Sequence, residues 1–439
     1  MTHSPKTSLK QTNIPWIWEI PKDWKVVKVK QIVSVKITDW PHETPELLLE
    51  WVPFASVESV YDGKINFESI RGFISKEQDK IYSQKCKPQR NDICIVKSWS
   101  TTGKIAIIEE DIDFNIWSPL ALVRVQRDSY AYKFIYYFFT SESFQKQIQT
   151  FWSFGTQPNI GMWVIENLHI SLPSLLVQIA IANFLDAKTE QISTLISNKK
   201  KLIELLKEQK QSIIHSAVTK GIDENVKMKV SWISWIGEIP EDWEILKLKY
   251  TGKIINWSTP SSSEKDYWDW DIDWITPTDL GNSDDPNLYQ SGRKITKLWL
   301  ENCGTTIVPK NSIILSCRAP IWSLGITTKD MCTNQGCKAF IVNSRVIYQY
   351  VYFHFIAYNE YLQSLWKWTT FQELSTTEFE NSYFILPSII TQESIVEYIK
   401  KEAFQIDSAI YKIEQEITLI EEYRTSLIYQ AVTGKLSIS

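Results

Sequence analysis

The sequence predicts an α+β chain of two tandem domains joined by two long helices that pack as an antiparallel coiled coil. Three observations predict it: a long internal repeat, a heptad seam ending each copy, and short β-rich runs with one aromatic helical run inside each copy.

The repeat organises the rest. Trp16-Ile17-Trp18-Glu19-Ile20-Pro21-Lys22-Asp23-Trp24 returns as Trp235-Ile236-Gly237-Glu238-Ile239-Pro240-Glu241-Asp242-Trp243, an offset of 219. An alternating stretch follows each copy, 26–30 and 245–249, and reads as a strand. A second match closes each copy at an offset of 214: Leu172-Pro173-Ser174 with Gln178 returns as Leu386-Pro387-Ser388 with Gln392, and Ala217-Val218-Thr219 as Ala431-Val432-Thr433. Such a unit is far longer than a solenoid repeat, so it is a domain with an appended segment.

The appended segment is helical. Ile406, Ile410, Ile413, Ile417, Ile420, Arg424, Leu427 and Ala431 step by alternating fours and threes. The first copy repeats them as Ile192, Ile196, Lys199, Ile203, Leu206, Lys210, Ile213 and Ala217. Gly221 and Gly434 follow as helix stops. From Asp186 to Thr219 the helix runs on the order of 50 Å. The seam persists too long to serve only its own domain, so the two helices are expected to pack on each other. The chain then divides into a first domain, 1–175, a central helix, 176–221, a second domain, 222–388, and a C-terminal helix and tail, 389–439.

Inside each copy, 93–96, 105–108, 120–125, 313–315 and 338–342 read as short strands between polar turns. The aromatic runs 130–139 and 348–361 read as helices. This leaves a modest sheet and much loop, and loops carry recognition.

Composition sets limits. At 439 residues with 44% hydrophobic content, the chain can fill more than one core. It has no apolar run long enough for a membrane span. Its polar start, MTHSPKTSLKQTNIP, predicts no secretory leader. The six cysteines, at 86, 94, 303, 317, 332 and 337, form no CxxC pair, and reduced thiols in the cytoplasm are expected. A net charge of −4 counts against a DNA binder that works alone, and less against a subunit whose partners supply phosphate contacts.

One figure is odd: Trp 20 exceeds Gly 14. At the offset of 219, Trp18 faces Gly237, Gly103 faces Trp322 and Trp117 faces Gly336. Trp99, Trp257 and Trp270 also sit where turns favour glycine. An indole cannot replace glycine where φ is positive. This pattern predicts a gene in which UGA encodes glycine, with positions 18, 99, 117, 257 and 322 as the test codons. Trp16 with Trp235, and Trp24 with Trp243, match across the repeat and are expected to be tryptophan.

No chemistry is legible. Gly103-Lys104, Gly252-Lys253 and Gly434-Lys435 are not followed by Ser or Thr, so no phosphate loop exists. There is no GxGxxG and no Asn-Pro-Pro-aromatic run. The histidines, at 3, 42, 169, 215 and 354, lack ligand spacing. No catalytic residue, metal or cofactor is expected in this chain.

The doubled Trp-Ile-Gly-Glu-Ile-Pro-x-x-Trp opening resembles the start of each half of the specificity subunits of type I restriction–modification systems. So do Trp274-Ile275-Thr276-Pro277-Thr278-Asp279-Leu280 and Gly155-Thr156-Gln157-Pro158-Asn159-Ile160, the latter preceding Ile170-Ser171-Leu172-Pro173. The resemblance covers nearly the whole chain; its main departure is tryptophan where the family has glycine. It implies two target-recognition domains, each reading one half of a bipartite, asymmetric target in double-stranded DNA. It also implies helices that set the spacer and dock two adenine-methyltransferase subunits, which bind S-adenosylmethionine. Restriction subunits, motor-nucleases that use ATP, complete the complex.

Base edges are read by side chains such as Arg, Lys, Asn and Gln, while Ser, Thr and backbone groups fix register on phosphates. The expected DNA contacts are Lys97, Ser98, Ser100, Thr101, Thr102, Lys104, Gln157 and Asn159 in the first domain. In the second they are Thr276, Thr278, Arg318, Ser323, Lys367, Thr369, Thr370 and Gln372. The expected partner-binding residues are the seam positions Ile192, Ile196, Ile203, Leu206, Ile213, Ile406, Ile410, Ile413, Ile417, Ile420 and Leu427. The alternatives are a coiled-coil scaffold without DNA sequence preference, and an unrecognised enzyme.

Overall fold

A computed structural model of the chain describes residues 8–85, 87–154, 158–255, 267–280, 285–302, 306–317, 323–364 and 375–438. It separates into two units, 1–199 with 414–439, and 200–413.

The first unit holds a five-stranded sheet in the order Leu120–Val123, Ile93–Val96, Ile105–Ile107, Lys64–Ile65, Val60–Tyr61. Beside it lies a three-stranded sheet, Asn115–Ile116, Val52–Ala55, Gly72–Ile74. The second unit repeats both. Its five strands run Gly252–Ile255, Cys337–Val342, Ile313–Ser316, Leu324–Thr327, Asn287–Leu288, and its three run Lys294–Ile295, Trp268–Ile275, Cys332–Thr333.

The larger sheet is buried on both faces, and the period of two decides which core each side chain joins. Ile93, Ile95, Ala121 and Val123 point to the helical core with Trp24 and Phe134. Cys94, Val96, Leu120 and Leu122 point to a second core with Phe114. The second unit divides likewise: Ile313, Leu315 and Phe340 join one core, Ile314 and Ala339 the other.

Several expected boundaries move. The strands after the opening motif stop at Lys28 and Lys247, where the chain turns into short 3-10 helices. The turn buries Val29 and Leu248, whose N–H groups donate to Leu168 and Ser382 rather than continuing the ladder. The second aromatic helix, Tyr348–Ala357, breaks before Asn359–Ser364.

The repeated motifs are the joints between domain and helix. Gln178, buried, accepts from Ala131 N at 3.0 Å and donates to Pro173 O at 2.9 Å. Gln392 repeats both bonds with Ile347 N, 2.8 Å, and Pro387 O, 2.9 Å. The Ile-Pro-x-x-Trp motif seats a helix end. Gly434, just past the second long helix, lies on Pro21 and Trp24; Gly221, just past the first, lies on Trp243. Both glycines have left-handed φ, 72° and 79°.

The long helices span Leu175–Lys220 and Ile389–Val432. Within the first unit they are antiparallel: Lys199 pairs with Glu416 at 2.5 Å, while Ser171, just before the first helix, donates to Val432 O at 3.0 Å. Within the second unit Lys210 pairs with Asp407 at 2.7 Å, and Ile214 and Val218 share a core with Ile395 and Ile399. Lys199 and Lys210, two of the basic residues that interrupt the heptad, therefore cross to carboxylates of the other helix.

This changes the reading of the seam. Ile192, Ile196, Ile203, Ile406, Ile413 and Leu427 are buried, and Leu206, Ile213, Ile410, Ile417 and Ile420 half-buried, by the chain's own packing. The apolar helix surface left open is elsewhere; Leu176 and Ile390, equivalent at the offset of 214, are 80% and 76% exposed.

Candidate nucleic-acid interface

The hairpin turn between Ile93–Val96 and Ile105–Ile107 is closed by Gly103 N donating to Val96 O at 2.8 Å, with Thr102 N donating to Trp99 O at 3.1 Å. Polar residues are left to bulge outward because the flanking apolar residues are claimed by the two cores.

The structure ties this turn to the other loop singled out in the first domain. Ser98 Oγ donates to Asn159 Oδ1 at 3.1 Å, and Thr102 Oγ1 to Pro158 O at 3.0 Å. Trp99 N donates to Pro158 O at 3.2 Å, and Ile160 N to Lys97 O at 2.9 Å. Two segments some sixty residues apart thus form one surface. Ser100, Lys104 and Asn159 are exposed on it, and Ser98, Thr101 and Thr102 half-buried.

Lys97 differs from its neighbours. It is buried, and its ammonium pairs with Asp39, which also lies 3.7 Å from His42. It holds the base of the turn rather than facing solvent. Sequence reasoning missed Arg71, whose guanidinium lies 4.2 Å from the Trp117 ring and 5.9 Å from the Trp99 ring. No sequence motif marks it; only the pairing of Gly72–Ile74 with Val52–Ala55 brings it to this edge.

In the second unit, Ser316 N donates to Ser323 O at 2.9 Å and Ser323 N to Ser316 Oγ at 2.8 Å, closing the equivalent hairpin. Thr276 caps the short helix Pro277–Leu280: its N and Oγ1 both donate to Asp279 Oδ2, at 2.8 and 2.6 Å. Its hydroxyl is therefore structural in this arrangement, while Thr278 is exposed. Gln157, Arg318, Lys367, Thr369, Thr370 and Gln372 lie outside the described residues.

One tryptophan–glycine pairing is corrected. Trp117 N donates to Ala55 O at 2.9 Å, and the residue in that place in the second unit is Asn334, whose N donates to Ile275 O at 2.9 Å. Trp117 therefore corresponds to Asn334, not Gly336. A constant offset of 219 fails here because the loops between differ in length.

The same doubled arrangement of sheet, loop and helix is met in known proteins. The sequence matches the family described as type I restriction modification DNA specificity domain twice, at residues 21–205 and 240–419. The chain belongs to this family. Among its relatives, the putative type I restriction enzyme MjaX specificity subunit of Methanocaldococcus jannaschii is 26% identical over 96% of both chains. The MjaIX specificity subunit of the same organism is 36% identical, over 36% of this chain and 38% of its own length. A chain solved in work on complex assembly and conformational transition of the type I R-M system superposes with a TM-score of 0.71 at 15% identity, covering 95% of this chain and 100% of that one. The HsdS subunit from Thermoanaerobacter tengcongensis superposes at 0.54, also 15% identical, covering 95% and 98%. As a type I specificity subunit, the chain has its two matched segments on the two units that carry the hairpin turns. Among the described residues, no helix is long and apolar enough to cross a membrane.

Proposed function

We propose that this specificity subunit reads a bipartite, asymmetric target in double-stranded DNA, one half by each unit. The observation that carries the reading is the joined surface of 98–104 with 158–159, which gathers exposed Asn159, Lys104 and Ser100 beside half-buried Ser98, Thr101 and Thr102. Such residues suit base edges and phosphates. The hairpin of the second unit supplies the equivalent place.

Methylation and cleavage belong, in this reading, to partners: two methyltransferase subunits that bind S-adenosylmethionine, and restriction subunits. They dock on exposed apolar helix residues such as Leu176 and Ile390 rather than on the seam. The net charge of −4 fits a subunit that draws part of its phosphate contact from them. The long helices set the spacer between half-sites, which lie about 34 Å apart when read from one face of B-DNA.

The test uses the complex with its modification subunits. It should methylate DNA at one recurring bipartite sequence, and four residues inserted near Asn198, about 6 Å of helix, should lengthen the spacer while both half-sites stay. Methylation without sequence preference would favour the scaffold alternative. An unchanged spacer would pass that role to the methyltransferase subunits.

A further inference from the structure

A positive φ excludes most side chains, because Cβ meets the following carbonyl; glycine has no such restriction, and Asn and Asp tolerate it. Among the described residues, the non-glycine positions with left-handed φ are Asp62, Asn91, Asn311, Trp16, Trp51, Trp99 and Trp232. Apart from Asn and Asp, every one is tryptophan.

Burial does not explain these indoles. Trp232 is 91% exposed, Trp51 56% and Trp99 36%. The tryptophans that anchor cores, Trp24, Trp243, Trp274 and Trp299, are buried and lie outside the left-handed set. Among the described residues there are thus tryptophans placed like core aromatics and others placed like glycine.

The repeat adds a position. Thr12 N donates to Trp18 O at 2.8 Å as Ser231 N donates to Gly237 O at 2.9 Å, so Trp18 stands where the second unit has Gly237 with φ 72°. In the first unit the left-handed residue is instead Trp16, φ 72°. Its counterpart Trp235 stacks on Tyr361 at 3.7 Å, as a true indole does. Glycine at 18 would allow the first turn to match the second and relieve Trp16.

We propose that residues 18, 51, 99 and 232 are glycine in the natural polypeptide, encoded by UGA codons that the source reads as glycine. The consequence falls on the candidate interface. With glycine at 99 and at 103, φ 81° and 93°, the hairpin turn is hinged on glycine at both ends. The amides of residues 99, 102, 103 and 104 are committed within the fold, which leaves those of Ser100 and Thr101, beside residue 99, to meet a DNA phosphodiester that a glycine at 99 would admit more closely than an indole. Arg71 likewise loses one of the two indoles beside it.

The assignment of the residues stands apart from the DNA-reading proposal; the consequence for the turn rests on it. The first measurement is the gene's codons together with peptide masses of the protein from its natural source. UGA at 18, 51, 99 and 232 with glycine masses, and UGG at 24, 235 and 243, is expected. UGG at those four positions, or tryptophan masses, overturns the assignment. The second measurement compares the chain as written with the Trp18→Gly, Trp51→Gly, Trp99→Gly, Trp232→Gly chain, and with that chain keeping Trp99. Each is assembled with its modification subunits on genomic DNA and read by methylation-aware sequencing and binding. Restoring glycine at 99 should strengthen target binding about tenfold, the scale of one well-made contact. Equal binding with and without the indole at 99 overturns the consequence for the turn alone. If no version shows any sequence preference, the DNA-reading proposal fails while the residue assignment is decided by the codons.

Discussion

Ser98 Oγ donates to Asn159 Oδ1 at 3.1 Å across two loops that backbone bonds from Trp99 N to Pro158 O and from Ile160 N to Lys97 O already join into one surface. If the surface reads DNA, Asn159→Ala should leave the fold intact and weaken target binding by about 1–3 kcal/mol. Only one half-site should relax. Binding to duplexes permuted one base at a time gives the answer; equal loss on target and non-target duplexes would assign Asn159 to phosphates.

The glycines past the long helices are not interchangeable. A Cβ on Gly434 would lie 2.5 Å from Pro21 Cδ, whereas one on Gly221 meets Trp243 Cζ2 at 3.3 Å, and both positions have left-handed φ. Gly434→Ala should therefore cost more than Gly221→Ala, roughly 2–3 against 1–2 kcal/mol. Thermal unfolding of the two variants tests the order.

Gln178 and Gln392 each satisfy a helix-start amide and a proline carbonyl from a buried position. Replacing either with Ala should cost about 1–3 kcal/mol by leaving these groups without their partner. Gln→Glu should also destabilise, since the amide donor to the proline carbonyl is lost. Denaturant midpoints with unchanged slopes would show that stability alone moved.

His354 gives the second unit an acid sensitivity. It is fully buried, accepts from Ile385 N at 3.2 Å and stacks on Phe384 at 4.2 Å; burial holds its pKa down to about 3, against an ordinary 6.5. Above 6.5 the imidazole is neutral folded or unfolded. As pH falls from there towards about 3, the unfolded chain takes up a proton that the folded unit refuses, so stability falls. Counting from the glutamine-capped residues Ala131 and Ile347, the first unit has Phe138 in this place. His354→Phe should lower the melting temperature near neutral pH, because Ile385 N loses its acceptor, yet flatten the dependence between about pH 7 and about pH 5. Identical pH slopes for the two proteins would refute this origin.

Much of the fold was legible because it is doubled: motifs that recur at fixed offsets, such as Gln178 and Gln392, are where domain meets helix. The heptad locates the seam, but periodicity cannot tell a surface filled by the same chain from one awaiting a partner, so the burial of Ile192 and Ile406 by the chain itself was not legible. The loops carrying Ser98 and Asn159 were each legible from composition, while their bond was not, since nothing local links segments so far apart. Arg71 was invisible because its place depends on strand pairing. Trp117 was matched to Gly336 because loop lengths break the offset.

The central claim is that each unit reads its own half of the target. Its most direct measurement is methylation-aware sequencing of DNA modified by the complex after residues 1–175 are replaced by the corresponding domain of another specificity subunit. One half of the methylated sequence should change, with the other half and the spacer retained. A change in both halves, or in neither, would contradict the account.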